Sequence, residues 1–462
     1  MTTFLDGKHV LVAGAGVTGR SAAEALLAAG ARVTVTDGSA DRLLALETLL
    51  SGVALVPGLT EPPLGTDLVV TSPGWRPESP LLAAATAAGV EVIGEVELAW
   101  RMAAELADPP TWLAVTGTNG KTTTVGMLES ILRTAGIDAV ACGNVGLPVV
   151  DALLAGHRVL AVELSSFQLY WSPSVRPFAG VLLNLAEDHL DWHGGMTAYA
   201  DAKARVLSGE IAVGGVDDPL VAALLKAAPS VRHVGFTLDE PAEGQLGVVD
   251  GMLVDRAFGV AEQLIEVDQV RPAGPPGLAD ALAAAALARA YGVPASSVRQ
   301  GLLNFRPGAH RAVVVATSED ITYVDDSKAT NPHAAIASLR SHASVVWLAG
   351  GLLKGASVDD LVAGEAHRLR GVVLFGEDRD EIAAALARHA PHVPCAVVEA
   401  TDHDAMTSVV HAARDLAKPG DTVLLAPAAA SMDMFTDYAH RGHAFTEAVL
   451  DLVEHERTGH IT

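Results

Sequence analysis

The stretch Trp112-Leu-Ala-Val-Thr-Gly-Thr-Asn-Gly-Lys-Thr-Thr-Thr124 decides the fold of this chain. A short apolar run, Leu113 to Val115, precedes a glycine-containing turn, and the residues from Thr122 onward have helical character. Backbone N–H groups at the start of a helix form an anion site that suits phosphate. Lys121 adds a positive charge, and the Thr122 hydroxyl can ligate Mg²⁺. We therefore predict a strand, a phosphate-binding turn and a helix.

The spelling of this turn departs from the usual nucleotide loop, which has a glycine where this chain has Val115. A glycine-rich turn followed by a coincidental Lys-Thr pair is the alternative. The strand–turn–helix context favours ATP. The predicted ATP-binding residues are Gly117, Thr118, Asn119, Gly120, Lys121, Thr122 and Thr123.

The length, net charge and cysteine count of the chain restrict its number of domains, its partners and its compartment. The 462 residues suggest about three domains of ~150 residues each. The formal net charge of −24 argues against nucleic acid or an anionic membrane as a partner. Two cysteines far apart in sequence argue for a reducing compartment. Since no apolar run reaches the ~18 residues of a membrane span, we expect a cytoplasmic protein.

The first domain contains a second glycine-rich turn, Gly14-Ala-Gly-Val-Thr-Gly19, between a strand from Lys8 to Ala13 and a predicted helix from Ser21 to Ala29. The next strand ends at Asp37, near the position expected for the acid of a dinucleotide fingerprint. This pattern fits an NAD-dependent oxidoreductase, another nucleotide such as a UDP-sugar, or a structural βαβ unit without a ligand. A strand followed by Ser72-Pro-Gly74 adds a second loop at the same predicted sheet edge.

Strands and helices alternate again after each of two Pro-rich joints, near Ala107-Asp-Pro-Pro110 and in Phe305-Arg-Pro-Gly-Ala-His-Arg311. We therefore predict an α/β protein of three domains. These are a Rossmann-like domain over 1–107, a central P-loop ATPase-type domain with extra small strands over 108–306, and a Rossmann-like domain over 307–462. The Asp250-Gly251 pair predicts a hairpin within the second domain.

Acidic and histidine residues in the second domain suggest a metal site. Glu163 ends a buried-type strand, which suits a Mg²⁺ ligand, although a helix cap or a solvated carboxylate is the alternative. The run from Glu187 to His193 suggests zinc through His189 and His193, but Gly194-Gly195 breaks the helix that zinc would need. Glu, His and water around Mg²⁺ or Mn²⁺ fit better.

Three motifs together resemble the Mur ligases, the ATP-dependent amide ligases that build the peptidoglycan stem peptide. They are Gly117-Thr-Asn-Gly-Lys-Thr-Thr123, Glu163-Leu-Ser-Ser-Phe-Gln-Leu169 and Asp325-Asp-Ser-Lys-Ala-Thr-Asn331. The glycine-rich first domain argues against the related folylpolyglutamate synthetases, and the chain lacks the Asp-Asn-Pro-Arg motif of the diaminopimelate-adding branch. The third motif is typical of the branch that adds D-glutamate to UDP-N-acetylmuramoyl-L-alanine through an acyl-phosphate. This resemblance implies that the glycine-rich turn of the first domain binds a UDP group and not NAD.

The resemblance implies roles for individual residues. Lys121, Lys203, His189 and Lys328 match catalytic positions, and Arg311 matches a residue at the ATP phosphates. Thr122, Glu163, His189 and a carbamylated Lys203 match ligands of two Mg²⁺ ions. The matching substrate-binding positions are Val17, Thr18, Asp37, Ser72, Pro73, Gly74, Asn144, Lys354, Ser431 and Tyr438. Thr330, beside Lys328, is a further candidate for binding the substrate.

One segment departs from the family pattern. The family commonly has Gly-x-His-Asn-x-x-Asn before an Ala-rich helix, whereas this chain has Gly274-Pro-Pro-Gly-Leu-Ala-Asp280. The missing side chains help to seat the adenine, so the resemblance leaves base selectivity open. The resemblance also implies action on small molecules in peptidoglycan synthesis, and hence a role in cell shape and division. We expect the protein to be a monomer.

Overall fold

Three separate β-sheets, each with its own helices, organise the chain. A computed structural model describes residues 4–400 and 405–459. The chain forms two compact units, each with most of its contacts inside itself. One contains the first and second sheets, and the other contains the third sheet together with the short segments Ala186–Asp191 and Arg271–Pro276. The three-domain α/β class is confirmed, while the domain boundaries after residues 107 and 306 stay a prediction.

The first sheet has five parallel strands in the order β3-β2-β1-β4-β5. This is the Rossmann order, in which the strand order reverses between β1 and β4. The elements are β1 (His9–Ala13), α1 (Val17–Ala28), β2 (Arg32–Thr36), α2 (Ala40–Glu47), β3 (Val53–Leu55), β4 (Leu68–Thr71), α3 (Pro80–Ala87), β5 (Glu91–Gly94) and α4 (Glu95–Ala103).

Helix α1 begins at Val17, four residues earlier than the predicted start at Ser21. Gly16 is its N-cap, so the glycine-rich turn is tighter than the sequence suggested, and Val17 and Thr18 lie in the first helical turn. The backbone N–H groups of that turn have no partner within the helix, which leaves them available for an anion.

The second sheet has nine strands in the order β14-β13-β12-β11-β10-β9-β6-β8-β7. Its strands are β6 (Thr111–Thr116), β7 (Ala139–Gly143), β8 (Val159–Glu163), β9 (Ala179–Leu182), β10 (Ile211–Gly215), β11 (Arg232–Phe236), β12 (Gln245–Val249), β13 (Met252–Asp255) and β14 (Glu262–Glu266). Its helices are α5 (Lys121–Thr134), α6 (Val149–Leu154), α7 (Ser166–Tyr170), α8 (Leu190–His193), α9 (Met196–Ala204), α10 (Pro219–Ala227), α11 (Pro275–Ala290) and α12 (Ala295–Asn304).

Two local predictions for this region are confirmed. Strands β12 and β13 form an antiparallel hairpin whose turn residues, Asp250 and Gly251, have positive φ angles of 48° and 75°. Helix α8 ends at His193, directly before Gly194 and Gly195. The central strand β6 lies between β8 and β9, so the residues that follow these three strands meet at one edge of the sheet.

The third sheet has six strands in the order β15-β16-β20-β17-β18-β19, and only β15 is antiparallel to its neighbour. Its elements are β15 (Val313–Ser318), β16 (Ile321–Asp325), α13 (Pro332–Arg340), β17 (Val345–Gly350), α14 (Asp359–Glu365), β18 (Leu369–Phe375), α15 (Arg379–His389), β19 (Cys395–Val397), α16 (Ala405–Leu416), β20 (Thr422–Leu425) and α17 (Tyr438–Gly459). Separate apolar clusters pack on its two faces. The pairing of β15 with β16 is interrupted by a register shift between Val314 and Ala316.

A buried carboxylate joins the first two sheets. Glu95, the first residue of α4, is 2% exposed and accepts the backbone N–H of Val150 at 2.7 Å, at the start of α6. Burial raises the pKa of Glu95 to about 7, and the nearby Asp151 carboxylate raises it further, against the hydrogen bond from Val150. Across the described ranges, none of the helices has the length and apolar character that a bilayer crossing would need.

Candidate active site

The predicted phosphate loop joins β6 to α5, and its backbone is held by residues from neighbouring strands. Thr118 N–H donates to the Asn184 carbonyl at 3.0 Å, and Asn119 N–H donates to the Asn184 side-chain oxygen at 2.9 Å. The Asn184 amide returns a hydrogen bond to the Asn119 carbonyl at 3.2 Å. Because Asn184 follows β9, the strand beside β6, the sheet itself positions this clamp.

Gly120, at the N-cap of α5, has a φ of +86° and lies against Asp280. A Cβ atom at this position would come within 2.1 Å of the Asp280 Oδ1 atom, so a larger residue would have to displace the Asp280 side chain. The same oxygen accepts a hydrogen bond from the Thr124 hydroxyl at 3.2 Å. Asp280, which departs from the family pattern, therefore supports the phosphate loop from helix α11.

Two lysines that are 82 residues apart in sequence converge on one carbonyl oxygen of this loop. The Lys121 ammonium donates to Gly117 O at 2.9 Å and to Thr118 O at 2.8 Å. The Lys203 ammonium, on a residue only 2% exposed, donates to the same Gly117 oxygen at 2.7 Å. Two positive charges thus meet where an anionic ligand would neutralise them.

Tyr199 connects Lys203 to the loop. The Lys203 ammonium lies 4.8 Å from the centre of the Tyr199 ring, within cation–π range. The Tyr199 hydroxyl lies 3.0 Å from the Thr118 hydroxyl. Tyr199 is 1% exposed, so this buried ring fixes the distance between α9 and the phosphate loop.

Glu163 ends β8 and faces the predicted substrate residue Asn144. Its Oε1 atom accepts the Asn144 side-chain amide at 2.9 Å, and its carbonyl accepts the Asn144 backbone N–H at the same distance. Glu163 pairs with Val115 across the strands, which brings a nearly buried carboxylate to the edge that carries the phosphate loop.

These donors fit a magnesium ion that shares its coordination with phosphate. Mg²⁺ is usually bound by one or two carboxylates together with phosphate oxygens and water. Glu163 supplies a carboxylate and Thr122, in the first turn of α5, supplies a hydroxyl. Within residues 4–400 and 405–459, no group of three or more His, Cys, Asp or Glu side chains could hold a metal alone. His189, in the unit of the third sheet, has a φ of +55° and lies 3.5 Å from the Asp188 carboxylate.

The first domain presents its glycine-rich turn at the switch point between β1 and β4. Gly14 has a φ of +112°, and a Cβ atom there would come within 2.3 Å of the Ser72 hydroxyl. The Asp37 carboxylate accepts the N–H groups of Ala15 and Ser39, both at 2.8 Å. Val17 is 71% exposed, and Thr18 is partly exposed beside it. The loop after β4 lines a cleft of about 530 Å³ through Gly74, Trp75, Arg76, Glu78 and Ser79.

In the third sheet, predicted residues follow the adjacent parallel strands β16, β20 and β17. Lys328 follows β16, and its ammonium lies 3.8 Å from the centre of the Tyr438 ring. A bridge between Leu352 and Ala430 brings the loops of Lys354 and Ser431 side by side. Lys354 is exposed with a φ of +54°, and Ser431 is 3% exposed. Thr330 N–H donates to the Lys328 carbonyl at 2.8 Å.

The adjacent carboxyl groups of Asp325 and Asp326 face different partners. Asp325 Oδ2 lies 2.5 Å from His310 Nδ1. Asp326 Oδ1 accepts the Ala312 N–H at 3.3 Å. Burial raises the pKa of Asp326 to about 6, although the positive charge of Arg311 lowers it. The charge of Arg311, which is predicted at the ATP phosphates, therefore acts on this carboxyl group.

A buried arginine that the sequence analysis did not single out holds this motif. Arg441 is 0% exposed and donates to the Ser327 hydroxyl at 3.0 Å and to the Ser327 carbonyl at 2.9 Å. Burial lowers the pKa of Arg441 to about 9. The sequence analysis also did not identify Asn184, Asp280 and Tyr199 as contacts of the phosphate loop, and like Arg441 they carry no local signal in the sequence.

Comparison with known proteins covers almost the whole chain. Residues 8–94 match the N-terminal domain of MurD-like Mur ligases, residues 115–288 match the Mur ligase middle domain, and residues 310–429 match the Mur ligase glutamate ligase domain. The UDP-N-acetylmuramoylalanine--D-glutamate ligase of Rhodococcus jostii is 54% identical, with 98% of each chain covered. The corresponding ligase of Streptomyces avermitilis is 56% identical over 97% of this chain and 99% of the relative.

Solved structures share the fold at low identity. The UDP-N-acetylmuramate-alanine ligase of Thermotoga maritima superposes with a TM-score of 0.60 at 19% identity, covering 96% of this chain and 99% of the other. MurF from Acinetobacter baumannii gives a TM-score of 0.61 at 18% identity, covering 98% and 92%. These structures have the same three-domain architecture.

Proposed function

The chain belongs to the Mur ligase family, and we propose that it adds D-glutamate to UDP-N-acetylmuramoyl-L-alanine at the expense of ATP. It is an ATP-dependent amide ligase of peptidoglycan synthesis. One observation carries the assignment: relatives that bear the name of this activity are 52–56% identical over 96–98% of this chain.

The reaction joins a carboxylate to an amine, and it needs activation because a carboxylate is a poor acyl donor. A carboxylate oxygen of the UDP-sugar substrate attacks the γ-phosphorus of ATP, and the bond to the β-phosphate oxygen breaks to release ADP. The amine of D-glutamate then attacks the acyl carbon, loses a proton and expels phosphate. Positioning and charge neutralisation supply most of the catalysis in such steps.

The three sheets divide the substrates among three domains with boundaries at 1–107, 108–306 and 307–462. The first domain binds the UDP group through Val17, Thr18, Asp37 and the Ser72-Pro73-Gly74 loop. The exposed first turn of α1 and the cleft of about 530 Å³ that begins at Gly74 support this assignment. Asn144, in contact with Glu163, contributes from the second domain.

The phosphate loop binds ATP, with Lys121 at the outer phosphates and Arg311 contributing from the third domain. Backbone N–H groups at a helix start and a lysine are the expected partners of a triphosphate. We expect adenine recognition to differ from the common family pattern. Where the family has an asparagine amide, this chain has the Asp280 carboxylate, which accepts a hydrogen bond from the Thr124 hydroxyl.

Glu163, Thr122 and His189 would hold Mg²⁺ together with phosphate oxygens, and the ion would neutralise charge between two anions. A carbamate on Lys203 would hold a second ion. The burial of Lys203 and its shared acceptor with Lys121 support this modification, since converting one of two neighbouring cations to an anion removes a repulsion.

The third domain binds the amino acid. Lys354, Ser431, Tyr438 and Thr330 offer a cation and hydroxyl groups for the two carboxylates of glutamate, and Lys328 lies at the reacting centre. The bridge between Leu352 and Ala430 and the stacking of Lys328 on Tyr438 support a single pocket at this edge of the sheet. We further propose that the enzyme is a cytoplasmic monomer.

The test is phosphate release from ATP and Mg²⁺ in the presence of UDP-N-acetylmuramoyl-L-alanine, with D-glutamate, L-glutamate, L-alanine and diaminopimelate in separate reactions. We expect turnover with D-glutamate only. Faster turnover with any of the other three amino acids contradicts the assignment of D-glutamate. Tight binding of NAD without a response to the UDP-sugar contradicts the assignment of the first domain.

A further inference from the structure

A strained turn carries Arg311. The residues on both sides of it, His310 and Ala312, have φ angles of +61° and +51°. Residues with a Cβ atom rarely adopt this left-handed conformation, and it persists only where surrounding contacts enforce it. The contacts that hold the turn therefore decide where the Arg311 guanidinium points.

The side chain of His310 anchors one end of this turn. It is 6% exposed, and its Nδ1 atom donates to Asp325 Oδ2 at 2.5 Å. Its Nε2 atom is buried and has no hydrogen-bond partner in the described part of the chain, so the contact with Asp325 is the hydrogen bond that orients the ring. The ring also packs against the backbone of Gly442, where a Cβ atom would approach Nδ1 to 2.1 Å.

Backbone contacts tie the same turn to the motif that follows β16. The His310 carbonyl accepts the Lys328 N–H at 3.2 Å. At the other end of the turn, the Ala312 N–H donates to the Asp326 carboxyl at 3.3 Å. Asp325 itself is fixed by the Ser327 N–H at 2.9 Å. The two residues that flank Arg311 are thus each held by one of two adjacent carboxyl groups, His310 by Asp325 and Ala312 by Asp326.

We propose that His310 and Asp325 form a positioning pair that fixes the turn of Arg311 and thereby the orientation of its guanidinium, without touching a substrate themselves. This inference rests on the proposed function. A small displacement of a residue that positions substrate can cost on the order of 100-fold in rate. The pair therefore affects catalysis through Arg311, and its removal has little further effect once Arg311 is absent.

A double-mutant cycle tests the proposal with the full-length enzyme. We expect Asp325→Ala to lower kcat/KM for ATP by about 100-fold, and by less than about threefold in an Arg311→Ala background. Asp325→Asn keeps an acceptor for Nδ1–H, so we expect it to recover activity to within about tenfold of the parent. Affinity for the UDP-sugar, which binds in the first domain, should not change.

The matched control is Asp138→Asn, which alters another His–Asp contact, the exposed pair of His157 and Asp138 at 2.7 Å. Should Asp325→Ala fail to fold, His310→Asn replaces it in the cycle, because Asn tolerates a positive φ angle. Equal losses in the presence and absence of Arg311 overturn the positioning pair. Absence of ligase turnover in the unmodified enzyme overturns the proposed function instead.

Discussion

The chain contains two glycine-rich turns that share a backbone design and differ in the charges around them. Gly14–Gly19 and Gly117–Gly120 each follow a parallel strand and lead into a helix, and each includes a glycine with a positive φ angle. The carboxylate of Asp37 holds the first turn, whereas the ammonium groups of Lys121 and Lys203 meet at the second. The same glycine pattern thus has a carboxylate beside it in one turn and two cations in the other, and we expect these charges to select the ligand.

The largest effect is expected at the second turn. Replacing Lys121 by Ala should lower turnover by roughly 10²–10³, since it removes one preorganised electrostatic contact, while binding of the UDP-sugar stays nearly unchanged. Phosphate release and a calorimetric titration with the UDP-sugar measure the two quantities. The control is Lys226→Ala, at an exposed lysine in the last turn of α10. Equal losses of turnover and UDP-sugar affinity would show that the two turns do not serve separate ligands.

Lys203 provides a second test of the charges at the second turn. We expect Lys203→Ala to lose activity on the order of 100-fold and to recover part of it with added short carboxylic acids, because a carbamate acts as a carboxylate-like ligand. The assay is turnover against acid concentration, with Lys121→Ala as the variant that acids should not rescue. Full activity of an enzyme whose Lys203 is shown by mass spectrometry to be unmodified would contradict the carbamate.

The first turn should respond with a smaller change confined to one substrate. Asp37→Ala removes charge-assisted hydrogen bonds to two backbone N–H groups, so we expect KM for the UDP-sugar to rise roughly 10- to 100-fold, the equivalent of ~1.5–3 kcal/mol. KM for ATP should stay within about twofold. Asp41→Ala, at an exposed acid in the first turn of α2, is the control. An equal rise in KM for ATP would show that the first turn does not serve the UDP-sugar alone.

The smallest effect concerns the joint between the two sheets that carry these turns. Burial raises the pKa of Glu95 to about 7 from an ordinary value of 4.5. Between these values the folded protein binds more protons than the unfolded chain, so this group's contribution to stability is full below pH 4.5 and is lost as the pH rises to about 7. Glu95→Gln keeps an acceptor for the Val150 N–H and should flatten this dependence, by at most about 3 kcal/mol.

Melting temperatures from pH 5 to 8 measure this dependence. The Glu95→Gln variant should match or exceed the unmodified protein at pH 8 and lose its advantage at pH 5. Glu47→Gln, at an exposed residue of α2, serves as the control. Parallel melting curves for Glu95→Gln and the unmodified protein would show that the carboxylate does not titrate in the joint.

The sequence predicted what is local. A strand, a glycine turn and a helix lie within about a dozen consecutive residues at Trp112–Thr124, so their order alone indicates the phosphate loop. The hairpin at Asp250-Gly251 was predicted for the same reason. The start of α1 was wrong by four residues, because the extended backbone of Gly16 lets the helix begin directly after the second glycine.

The sequence did not predict contacts across long separations. Asn184 binds Asn119 of the phosphate loop across 65 residues of sequence. Asp280 binds Thr124, in the helix that follows the loop, across 156 residues. Arg441 holds Ser327 from 114 residues away, and no periodicity or spacing links the two. Lys203 was selected by family resemblance alone, since an isolated lysine on a short helix usually lies in solvent. Burial against Tyr199 is a property of the folded chain.

The register shift in β15 has a consequence for association between molecules. Strand β15 forms one edge of the third sheet, with Val314 59% exposed, and an apolar edge strand can recruit a strand of another molecule into a growing ladder. The irregularity between Val314 and Ala316 interrupts the regular spacing that such a ladder requires. The opposite edge is β19, with only three residues. Both edges of this sheet thus discourage aggregation, and neither device involves the residues proposed to bind substrate.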